Sequence, residues 1–156
     1  MPAFVTLGRV LFALPFIYVG AAKLFGIQAT ADLIATKITI PEAFAPFTAQ
    51  LETATGMTMP QLLAIGAGVF EVIGGIMIAV NSGARFFAIL LAFYVAAATV
   101  YFDDFWNKTP PDNSNALLDA LKNLSMIGAL IMIAGFGRSP RVQAIEEPKF
   151  VTPRVG

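Results

Sequence analysis

Four long apolar runs, at 4–25, 60–80, 84–102 and 116–136, dominate the chain, and polar residues gather between them. Each run is close to the ~20 residues that carry a helix across roughly 30 Å of hydrocarbon. Strands of a membrane barrel alternate apolar and polar positions, and these runs do not, so the pattern predicts transmembrane helices. The first run is longer than the apolar core of a typical signal peptide, and we read it as a retained helix. Boundary signals agree with this division. Gly26 closes the first span, and Thr58 with Gln61 forms a capping-box pattern before the second. Asn81-Ser82-Gly83 leaves only a tight turn between the second and third spans, which makes them antiparallel neighbours. The segment "NKTPPDNSN" (107–115) separates the third from the fourth.

The connection between spans one and two is long and mildly polar. Leu33, Ile34 and Ile38 beside Asp32 and Lys37 predict a short surface helix, and Pro41-Glu42 starts a second that ends before Gly56. Both are expected at the membrane interface, with a loop packed over the bundle as the alternative. The fold class is therefore an all-α integral membrane protein, an antiparallel four-helix bundle over 1–137 with a long outer loop between spans one and two. Residues 138–156, with three prolines and mixed charge, form a tail.

Composition supports the membrane class and narrows the chemistry. Hydrophobic residues make up 57% of the chain and charged residues 13%, against about 25% charged in a soluble domain. Mean hydropathy is +0.75. The net charge of zero argues against a nucleic-acid partner. With no cysteine and no histidine, iron–sulfur clusters, thiolate metal sites and the commonest haem and zinc ligand are excluded. A redox role must then use a borrowed organic cofactor or a partner subunit. The Lys and Arg bias places Arg9, Arg85, Arg138, Arg141, Lys149 and Arg154 on one side, which predicts cytoplasmic termini.

Ionisable residues inside spans usually face the bundle interior and pair there. Here they are Arg9, Lys23, Glu71, Arg85, Asp103, Asp104, Asp119 and Lys122, with Asn123 beside the last. Counting about 1.5 Å per residue from the Arg9 end of each span gives two layers. Glu71 falls between Arg9 and Lys122, whereas Lys23 is level with Asp103, Asp104 and Asp119. Arg9, Phe16 and Lys23 are spaced by sevens and share one face. These charges either fix helix register or line a polar pocket, and Lys23 alone has the further option of snorkelling to the interface. Asp103, Asp104 and Asp112 are read as solvated carboxylates, not as a metal site.

Taken together, "GRVLFALPFIYVGAAKLFG" (8–26), "FEVIGGIMIAVNSGARFFAILLAF" (70–93), the "FDD" that ends span three and "KNLSMIGALIMIAGFG" (122–137) resemble the DoxX family of small membrane proteins. The resemblance covers about 5–137. It implies a four-helix bundle with a charged interior in a bacterial inner membrane. Relatives include a membrane subunit of thiosulfate:quinone oxidoreductase, so a quinone is the cofactor it suggests and a membrane complex the setting. Family members often carry a histidine near the end of helix three, where this chain has Asp103-Asp104. Three functions are then in view: a quinone-linked, non-catalytic subunit of a membrane oxidoreductase, a purely structural accessory subunit, and a small transporter working through Glu71. The transporter is the weakest, because four short helices without an inverted repeat leave little room for alternating access.

Overall fold

The computed structural model describes residues 3–136. The tail expected over 138–156 lies outside the described residues. The four long helices are α1 (Ala3–Phe25), α4 (Met59–Ala79), α5 (Ala84–Phe102) and α6 (Asp112–Phe136). All four are long and apolar enough to cross a membrane. Between α1 and α4 the chain forms α2 (Ile27–Lys37) and α3 (Ala45–Thr55). Gly56 ends α3 in the left-handed region at φ 68°, a conformation glycine adopts without a Cβ penalty. The capping box opens α4: the Thr58 amide donates to Gln61 Oε1 at 2.9 Å. Asn81 and Gly83 both take positive φ, which lets four residues reverse the chain between α4 and α5.

Helix α1 packs along α4, α4 on α5, and α5 on α6, each pair antiparallel, with α2 laid against α4. Close packing in a membrane depends on small residues, because hydrocarbon tails compete equally for apolar surface. Gly20 and Gly68 supply them at the α1–α4 seam. At the end of the bundle where α1 begins, the core joins Ala13 and Phe16 to Ile78, Leu91 and Leu130. At the opposite end a smaller cluster of Ala31, Ile34 and Ala64 seats α2. Helix α6 starts four residues before the predicted apolar run, because Pro111 precedes it and Asp112 places a negative charge in its first turn. The Asn123 amide donates to Asp103 Oδ2 at 2.7 Å, so the first turns of α6 rise past the end of α5.

Candidate functional site

Lys23 points into the bundle. Its Nζ donates to Glu71 Oε1 at 2.7 Å and to the Tyr94 hydroxyl at 2.9 Å. The Glu71 side chain is 6% exposed and the Lys23 side chain 24%. Antiparallel helices favour this meeting. Each Cα–Cβ bond tilts toward its own helix N-terminus, so side chains of α1 and α4 lean toward one another across the seam. Glu71 Oε2 is buried and has no hydrogen-bond partner among the described residues. The Tyr94 hydroxyl accepts from Lys23 and keeps its own hydrogen to donate, and the Glu71 carboxylate is the acceptor beside it.

Above this triad is a cavity of about 520 Å³. Pro15, Phe16 and Val19 wall it on α1, Ala98 and Phe102 on α5, and Met126 on α6. Leu33, Ile34 and Ile38 border it at the α2 end. Asp103 and Asn123 are its other polar lining residues apart from Thr30 and Tyr101. Size and lining suit a small organic ligand: a mostly apolar cleft with a few convergent polar groups.

The two predicted charge layers do not form. Arg9 donates to the side chain of Asn81, not to Glu71. Lys122 pairs with Asp119 on the outer surface of α6 at 2.9 Å, where both side chains are more than half exposed. Asp104 accepts from Lys37 at 3.3 Å and lies 3.5 Å from Lys108, and Asp103 takes Asn123. Arg85 donates from Nε to the Ala134 carbonyl at 2.7 Å, satisfying an acceptor in the last turn of α6.

The cause is register. The prediction started every helix at one level, whereas Arg9, well inside α1, sits beside Asn81 beyond the end of α4. Helix α1 is thereby displaced along α4 by roughly six residues, or about 9 Å. That shift brings Lys23 within reach of Glu71. On α6 the inward positions Ala116, Asn123 and Leu130 are spaced by sevens, which leaves Asp119 and Lys122 outside. Tyr94 and Lys37 were missed as partners. A hydroxyl within an apolar span is a signal for Tyr94, because a buried phenol usually finds a hydrogen-bond partner. Among the described residues no group of three or more His, Cys, Asp or Glu side chains is placed to hold a metal ion.

Comparison with known families places this architecture. The sequence matches the DoxX family over residues 4–104. The chain belongs to the DoxX family. It is also similar to the inner membrane protein YphA of Escherichia coli (strain K12), 27% identical over 133 residues that cover 85% of this chain and 82% of that protein. No solved structure matches it. The chain is thus a DoxX-family integral membrane protein, and Lys23, Glu71 and Tyr94 are the polar centre of its bundle.

Proposed function

We propose that this DoxX protein binds a quinone-like lipid in the cavity above Lys23, Glu71 and Tyr94, as a non-catalytic component of a membrane oxidoreductase system. The observation that supports this most is the hydrogen-bonded triad of Lys23, Glu71 and Tyr94 bordering a mostly apolar cavity. Ligand sites combine apolar walls with a few placed polar groups in this way. Lys23 is the donor for a ring oxygen, and the walls from Val19 to Met126 take the ring and the first part of its tail. Helices α1 and α6 border the cavity without packing extensively along one another, which gives the tail a lateral way to the lipid. The membrane is the bacterial inner membrane, with both termini cytoplasmic and a partner protein carrying the chemistry. The name of the similar YphA and the Lys/Arg bias support that setting.

The test is extraction of the purified protein and mass spectrometry of the lipid fraction. Isoprenoid quinone should co-purify near one per chain and fall several-fold in Ala98→Phe, which fills the cavity. Equal quinone in both preparations refutes the site. A second reading is a structural accessory subunit in which Lys23 and Glu71 only clamp α1 to α4. It is favoured by one observation: the bridge crosses the seam beside the Gly20–Gly68 contact.

A further inference from the structure

We propose that Arg9 holds the phosphate of an anionic phospholipid at the end of the bundle where α1 begins. Arg9 does not line the Lys23 cavity, so this site stands whether or not that cavity takes a quinone. The inference comes from a charge without a counter-charge. Arg9 and Glu71 are the two buried charged side chains among the described residues, and Arg9 is only 7% exposed. Glu71 has Lys23, whereas Arg9 has only the neutral side chain of Asn81, to which Nη1 donates. No described carboxylate pairs with Arg9. The segments that meet at this end carry no acid at all: there is none before Asp32, none between Glu71 and Asp103, and none from 120 to 136. An unpaired charge within a membrane bundle is costly. A guanidinium has five N–H donors in a planar fork that matches a phosphate. Arg9 leaves no nitrogen both sealed and unbonded, so the part of the fork not given to Asn81 reaches the surface.

The neighbours of Asn81 add to the attraction. Helix α5 starts just after it, at Ala84, with no side-chain cap on its first N–H groups. Arg85 in that first turn is exposed and donates from Nε to the Ala134 carbonyl, so its charge too lacks an acid. Basic pockets between membrane helices hold acidic lipid headgroups in this way. The surroundings favour a lipid over a free phosphate. Phe4, Leu7, Leu11 and Leu14, on either side of Arg9 along α1, are all exposed apolar side chains that hydrocarbon covers. A phosphate carried on acyl chains satisfies both these residues and the arginine, whereas a soluble one satisfies the arginine alone. The lipid is net anionic, because phosphatidylethanolamine brings an ammonium that cancels its own phosphate, and phosphatidylglycerol does not.

Native mass spectrometry of the full chain in detergent, titrated with phosphatidylglycerol and phosphatidylethanolamine of matched acyl chains, tests this. Phosphatidylglycerol should bind about tenfold tighter, the scale of a hydrogen bond to a charged group. Arg9→Gln can still bond Asn81 but has no charge, so it should lose about tenfold for phosphatidylglycerol and less than about twofold for phosphatidylethanolamine. Lys122→Gln removes an equal charge from the outer surface of α6 and should change neither affinity. Should Arg9→Gln not fold, Arg9→Lys replaces it: the charge stays, the planar fork goes, and phosphatidylglycerol should bind about threefold more weakly. Equal binding of the two lipids overturns the proposal, as does an undiminished affinity in the folded Arg9 variant. An equal loss in Lys122→Gln would mean that overall charge, not Arg9, draws the lipid. Displacement of the lipid by a millimolar excess of inorganic phosphate would assign the site to a soluble anion and overturn the lipid.

Discussion

Gly20 and Gly68 stand so close across the α1–α4 seam that a Cβ on either would meet the other's backbone. A Cβ at Gly20 would lie 2.7 Å from the Gly68 carbonyl oxygen, and one at Gly68 would lie 2.8 Å from that of Gly20. Backbone cannot give way as a flexible side-chain tip can. Gly20→Ala or Gly68→Ala should therefore destabilise the folded protein by about 1–3 kcal/mol, as overpacking typically does. Gly66→Ala and Gly128→Ala, where nothing lies within 4 Å, are the controls and should be neutral. Thermal unfolding in detergent measures all four. Equal midpoints across the set would refute the close approach.

Helix α2 is held at both ends over the cavity. The Gln61 side-chain amide donates to Gln28 Oε1 at 2.8 Å near its start, and Lys37 reaches Asp104 at 3.3 Å at its finish. A partly exposed ion pair contributes at most about 1 kcal/mol, so Lys37→Ala should barely move the melting temperature. Local opening is a different matter, because short elements open well below the global free energy. Hydrogen exchange should accelerate several-fold at Ile34 to Ile38 and stay unchanged near Gln28. No change at either end would show that Asp104 does not anchor the helix.

The fold was largely legible in the sequence because hydrophobic run length and the residues between runs carry it. Gly83 and Asn81 make a four-residue reversal that admits little else, and Thr58 with Gln61 marks a helix start through a local hydrogen-bond pattern. The site was legible only in part. Lys23 and Glu71 were both identifiable as costly charges within spans, but their pairing depends on how far α1 slides along α4. That offset is set by Gly20 against Gly68 and by Arg9 against Asn81, which are long-range contacts with no local sequence mark. Counting charges alone also passed over Tyr94, a neutral group that takes one of the three Lys23 hydrogens.

Orientation in the membrane can be tested at two described positions. Ser82 lies in the turn at the end where α1 begins, and Asn113 opens α6 at the opposite end. The chain has no cysteine, so single cysteines at these positions report without background. With cytoplasmic termini, a membrane-impermeant maleimide should label Asn113→Cys in intact cells and Ser82→Cys only in inverted vesicles. The reverse pattern would overturn the orientation, and labelling of both from one side would overturn the bundle.

The pair Lys23 and Glu71 separates a clamp from a ligand site. Removing one partner of a buried ion pair costs about 3–5 kcal/mol, because the other charge is left uncompensated. Lys23 keeps 24% of its side chain exposed, so the cost here belongs at the lower end of that range. Lys23→Met strands a carboxylate, and Glu71→Leu strands an ammonium. The double variant strands neither, and apolar side chains of similar size often replace a buried pair without loss. It should therefore recover most of the stability that either single change removes, which is strong coupling in a double-mutant cycle. Additive losses would mean the two residues are not an energetic pair. The recovered double variant then discriminates between functions. If the pair is only a clamp, the double variant should support partner activity as the natural chain does. If the pair holds a ring ligand, the variant should fold normally yet retain several-fold less quinone, because the Lys23 donor is gone.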